Sequence, residues 1–121
     1  MAKVGKFYLP IYAMNYFFFI GQKHDDINAY CLKTFGLGFE SGPERGKCIK
    51  VENDTLAMCL IYVADKRDIV AMAHECLHAA NFTLQNVGIK ISTGNDEIQT
   101  YLFDVIFEQA LKHSQKTNRL R

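Results

Sequence analysis

Apolar positions fall along this chain with two periods. From Lys6 to Ile20 the segment KFYLPIYAMNYFFFI is dense in aromatic and β-branched residues and reads as one bent strand or two short ones. Pro10, which has no N–H to give to a ladder, belongs at an edge or a bulge. Asp25 and Asp26 then open a short helix in which Ile27, Tyr30, Cys31 and Phe35 recur at helical spacing, and Gly36 and Gly38 end it. KCIKVENDTLAMCLIYVAD predicts a hairpin, with strands Lys47 to Glu52 and Thr55 to Val63, turning at Asn53-Asp54, residues that tolerate the positive φ of a two-residue turn. That register sets Val51 opposite Leu56 and Ile49 opposite Met58 as an apolar face, with Lys50 and Glu52 on the other. It also sets Cys48 opposite Cys59 at a hydrogen-bonded position, where side chains point poorly at each other, so free thiols are expected.

Two helices complete the chain, Lys66 to about Val87 and roughly Asn95 to His113, separated by GIKISTG with Gly88 and Gly94 as punctuation. On the first, Ile69, Ala73, Cys76, Leu77, Ala80 and Leu84 form an apolar stripe, and Val70, His74, His78, Asn81 and Gln85 run beside it. The order is strand region, helix, hairpin, helix, helix. This predicts a compact α+β fold, a small antiparallel or mixed sheet packed on the last two helices, with residues 1–121 as one domain.

Composition narrows the partners. The 121 residues carry a net charge of +1, with 49% hydrophobic and 22% charged residues, so no basic excess points to nucleic acid. Cys31, Cys48, Cys59 and Cys76 form no CxxC pair and read as reduced core thiols, which fits a cytoplasmic protein. The run FYLPIYAMNYFFFI, following Lys3 and Lys6, resembles the apolar part of a signal peptide. Pro10, Asn15, three tyrosines and the lack of a small-residue cleavage site favour a buried strand pair instead, and the run is too short to span a bilayer. No membrane association is expected. The Gly-rich segment ending GPERGK fails as a phosphate-binding P-loop: three residues, not four, separate Gly42 from Gly46, and Cys48 stands where a Ser or Thr is needed after Lys47. It reads as a solvated turn.

The chemistry lies in AMAHECLHAANF, Ala71 to Phe82. Residues four apart share one helix face, so His74 and His78 can offer two imidazole nitrogens to one metal ion. Glu75 projects to the side of the pair, where it can take a proton from water held there. His24 and His113 lie outside any motif and read as surface or helix-end residues.

The run MAHECLHAA resembles the active-site helix of the zincin metallopeptidases, whose HExxH motif is flanked by uncharged residues, as it is here by Met72, Ala73, Cys76, Leu77, Ala79 and Ala80. The resemblance implies Zn2+, a peptide or protein substrate, and Glu75 as general base. It also implies a zincin order of early helix, edge strand, inner strand and HExxH helix, in which the edge strand binds an extended peptide through its free backbone groups. A hydrolytic zinc site usually takes three protein ligands. The metzincin pattern would need a histidine at Leu84, whereas Glu97, with eighteen residues intervening after His78, in GNDEIQTYLFD, resembles the gluzincin glutamate on a following helix. Alone, Glu97 would simply complement a helix dipole behind a Thr93 or Asn95 cap; with a metal on both histidines the ligand role is preferred. Asp96 and Asp104 are rival carboxylates, and Asp104 can instead orient a ligand histidine. Tyr101 can line the pocket or stabilise an oxyanion, or serve only in packing. The pattern HECLHAA…GI…NDEIQTYL is also similar to small phage or prophage metallopeptidase-like proteins. The competing expectation is a catalytically inactive zincin-like binding protein acting by interaction. A third reading makes the metal structural, closed by Asp96 or Cys76, although Cys76 points off the histidine face.

Overall fold

A computed structural model describes residues 4–119 apart from Ser41, Asp54 and Asn95, with side chains described as far as Gln115. The N-terminal aromatic run folds as two strands, β1 (Gly5–Leu9) and β2 (Met14–Ile20), paired antiparallel. Pro10 sits between them, opening a single 3-10 turn over Pro10–Tyr12, where its missing N–H costs no ladder bond. Ala13 closes that turn at φ 50, with its N–H on the Pro10 carbonyl.

Helix α1 (His24–Phe35) follows and ends where the sequence predicts. Gly36 takes φ 70, and the N–H groups of Gly36 and Leu37 reach back to the carbonyls of Leu32 and Cys31, closing the last turn. After a loop come β3 (Gly46–Glu52) and β4 (Ala57–Val63), antiparallel to each other. β4 also pairs parallel with β2, giving a mixed sheet of order β1-β2-β4-β3 with β3 at one edge. The two inner strands, MNYFFFI and AMCLIYV, are apolar on both faces because both faces are covered.

The hairpin register differs from the expected one by two residues: Val51 lies opposite Met58, Ile49 opposite Leu60, Cys48 opposite Ile61 and Cys59 opposite Lys50. The cause is Asn53. Its side-chain oxygen accepts from the N–H groups of Thr55 and Leu56, and its own N–H donates to the Leu56 carbonyl, so a longer loop replaces the two-residue turn. Asn53 does not take a positive φ; Asp54 lies outside the described residues. A slip of two preserves the faces, and all four cysteines are free thiols as expected.

Alternation splits the core in two. Met14, Tyr16, Phe18 and Ile20 of β2, with Cys59, Ile61 and Val63 of β4, face α2 (Ile69–Asn86) and α3 (Asp96–Arg119). Phe19, Met58, Leu60 and Tyr62 face the α1 side, where Ile27, Cys31 and Phe39 complete an aromatic-rich layer. Each fully buried side chain of this size stabilises the fold by about 1.5–3 kcal/mol. Among the described residues the arrangement is an α+β fold of three α-helices on a four-stranded mixed sheet.

Helices α2 and α3 run antiparallel, pinned by Gln99 donating to the Asn81 side chain (2.6 Å) at one end and Ser114 donating to the Lys66 carbonyl (3.2 Å) at the other. α3 continues six residues beyond the expected His113. His113 is therefore not at a helix end; it is half-buried with its ring against Gly5 of β1. Among the described residues, no helix is long and apolar enough to cross a membrane.

Candidate metal centre

Helix α2 forms where it does because Asp68 caps it and its first turns are rich in Ala, Met and Leu, good helix formers. The Asp68 carboxylate accepts from the Ala71 N–H (3.1 Å) and from Arg45 on two atoms (2.6 and 2.7 Å), which ties the start of α2 to the residue before β3. Two donors hold that carboxyl down at a pKa of about 2, with the Arg45 bond the larger cause. The helix that carries the histidines is thus fixed against the edge strand.

The buried face of α2 is rotated from the expected stripe. Met72, Glu75, Cys76, Ala79, Ala80, Thr83 and Leu84 are buried, while Ile69 and Leu77, both placed in the apolar stripe by the sequence, are exposed. Two polar residues on the inward face account for the shift. Thr83 donates to the Ala79 carbonyl (2.8 Å) and meets the Tyr16 hydroxyl at 2.6 Å, so its burial leaves nothing unpaired. Glu75, only 7% exposed, lies under β3, where its Cγ and Oε2 approach Gly46.

His74 and His78 are exposed on the adjoining face, ring centroids 4.8 Å apart at an interplanar angle of 83°. Beyond His78 the ring of Phe82 stacks at 6.1 Å, and Lys50 of β3 places its ammonium 5.8 Å from the Phe82 centroid. The potential ligand atoms of His74, Glu75 and His78 all lie within 4.8 Å of one another. Two donors each 2.0–2.1 Å from a tetrahedral zinc stand about 3.4 Å apart, a separation that small side-chain rotations reach from here. The donor set of two imidazoles beside one carboxylate suits a borderline-soft divalent ion. These residues fit a metal centre.

Electrostatics separate the three roles. Burial raises the Glu75 pKa, and the neighbouring His74 and His78 pull it back down. A carboxyl so placed accepts protons more readily than a solvated one. Cys76 points into the core, away from the exposed histidines, and burial is the first cause that pushes its thiol up to about 12.

The four helix α3 residues singled out by the sequence do not join this cluster. Glu97 occupies the first turn of α3 and is exposed, as are Asp96 and Asp104; Tyr101 is 65% exposed. Among the described residues, the group of histidine, cysteine and acidic side chains near enough to share an ion consists of His74, Glu75 and His78. Asn95, one of the two expected caps, lies outside the described residues. His24 opens α1 with its ring 5.5 Å from Tyr62, on the far side of the sheet.

Sequence reasoning missed Gly46, which it read as part of a solvated turn. Gly46 is the first residue of β3, and a Cβ built on it would stand 2.8 Å from Glu75 Cγ, 3.0 Å from Glu75 Oε2 and 3.0 Å from the Tyr62 carbonyl oxygen. No signal in a single sequence distinguishes a glycine needed for close approach from one needed for a turn.

Comparison with known proteins finds no matching family model, no similar curated protein and no similar solved structure, so the functional reading rests on the helix itself: a His-Glu-x-x-His arrangement with donor atoms gathered to suit a metal ion.

Proposed function

We propose that this chain is a zinc-dependent metallopeptidase of the HExxH type. The observation that carries the reading is the split between exposed and buried donors on α2: His74 and His78 face outward together, while Glu75 between them is buried beside the edge strand. Histidines on an ordinary amphipathic surface would not require a glutamate on the inward face.

On this reading His74 and His78 hold the ion and Glu97 completes the ligand set from the first turn of α3. A bound zinc polarises the scissile carbonyl and lowers the pKa of water at the site towards roughly 7. Glu75 accepts the proton of the attacking water and later delivers it to the leaving amine. Its burial supports that cycle, because a carboxyl removed from solvent has more affinity for a proton than a free one. The substrate is an extended peptide or protein segment. The outer backbone groups of β3, the strand at the sheet edge beside α2, offer such a segment hydrogen bonds. Tyr101 and Asp104 on α3 are candidates to line the pocket or orient a ligand.

Glu75→Gln tests the chemistry. The variant is expected to bind zinc with parent affinity and to lose peptide hydrolysis by at least about 100-fold in kcat. Equal cleavage by parent and variant would refute the role of Glu75. One observation favours a second reading, that of a catalytically inactive zincin-like binding protein acting by protein interaction: Glu97 stands outside the gathered donor group. Zinc uptake without hydrolysis of any peptide in a degenerate library would favour that reading.

A further inference from the structure

Gly46 is the one residue of the edge strand whose missing side chain touches the proposed catalytic machinery. Any Cβ there would meet three atoms at 3.0 Å or less: Glu75 Cγ, Glu75 Oε2 and the Tyr62 carbonyl oxygen. The Tyr62 carbonyl belongs to β4, and β3 is held to that strand by a continuous register from Gly46 opposite Val63 to Glu52 opposite Ala57. It has little freedom to retreat. Just before β3, the Arg45 carbonyl accepts from the Ala64 N–H (2.8 Å), and Arg45 also clamps Asp68 at the start of α2. Backbone and helix are therefore fixed on both sides of Gly46, and the Glu75 side chain is the only movable member of the three.

We propose that Gly46 is a positioning residue for Glu75: the notch it leaves in β3 seats the carboxyl beneath the edge strand and aims it alongside the two histidines. This deepens the metallopeptidase reading and rests on it for the role of Glu75. The close approach explains why a carboxylate can occupy the buried face of α2, and why this edge strand begins with glycine where β-branched or aromatic residues are usual. A larger residue at 46 would turn Glu75 away from the site without touching either histidine.

Four proteins test this: the parent, Gly46→Ala, Glu75→Asp and the double variant, each examined for urea midpoint, zinc affinity, the visible spectrum of cobalt bound in place of zinc, and peptide hydrolysis. Gly46→Ala is expected to change zinc affinity far less than the roughly tenfold loss that follows damage to a metal ligand's support. It is expected to alter the cobalt spectrum and to lower kcat by about 100-fold with KM little changed, the signature of a misplaced catalytic group. Glu75→Asp retracts the carboxyl, so adding Gly46→Ala to it should cost less in urea midpoint and spectrum than adding it to the parent. Equal costs in both backgrounds, or a Gly46→Ala protein with the parent's cobalt spectrum, would overturn the proposal. If the parent hydrolyses nothing, the peptidase reading fails, and the seating of Glu75 is still decided by the spectrum and the urea cycle. If the parent is active and Gly46→Ala matches it, the peptidase reading stands and the positioning role is wrong.

Discussion

Thr83 has one hydroxyl proton, and it goes to the Ala79 carbonyl one turn back; the Tyr16 hydroxyl must therefore be the donor in its 2.6 Å bond to Thr83. This buried link joins β2 to α2, and burial drives the Tyr16 phenol pKa well above its usual range. The asymmetry sets an order of costs. Tyr16→Phe leaves Thr83 with its Ala79 partner and should cost about 1 kcal/mol, whereas Thr83→Val strands a buried tyrosine hydroxyl and should cost about 1–3 kcal/mol. Urea unfolding of the two variants checks this, and a larger loss for Tyr16→Phe would contradict the assigned donor. The same residue pair shows what a sequence hides. Thr83 and Glu75 are polar and fall off any apolar stripe, yet both are buried, one matched by a tyrosine 67 positions away and the other by a glycine on a separate strand. His74 and His78 were legible because their partners are four residues apart on one helix.

At the scale of elements, ends were more legible than registers. Gly36 at the close of α1 and the Asp-rich start of that helix are local signals, and the structure follows them. The β3–β4 register was not legible, since a slip of two leaves every side chain on the same face and only the hydrogen bonds of Asn53 choose between the alternatives. The start of α2 depends on a distant residue as well, because Arg45 holds the Asp68 cap. That pairing has a pH signature. The folded pKa of Asp68 is about 2, against about 3.9 for an unfolded aspartate, so its contribution is complete above the unfolded value and is lost as pH falls through the folded one. The difference in stability between the parent and Asp68→Asn should therefore be constant above about pH 5 and shrink progressively towards pH 2. A difference independent of pH would show that the charge on Asp68 adds nothing to the cap.

For the whole molecule, the decisive feature is the order β1-β2-β4-β3, which comes from a parallel pairing between β2 and β4, strands separated in sequence by α1 and β3. Local patterning gives the class of fold, and long-range pairing decides which strand is left at the edge. Here one edge falls to β3, directly over Glu75, so the sheet supplies a cover for the proposed general base and, beside it, the edge strand to which the proposed extended substrate would pair. The aromatic layer beneath α1 completes the other side of the sheet without contributing to the site. On the proposed reading α2 holds zinc through two histidines while Glu75 stays off the metal, and a crystal structure of the zinc-loaded protein would show this arrangement. One ion is expected about 2.0–2.1 Å from a ring nitrogen of His74 and of His78, with the Glu97 carboxylate at about 2.0–2.2 Å and Glu75 unbonded beside Gly46. An ion bound through Glu75, or none at the two histidines, would contradict it.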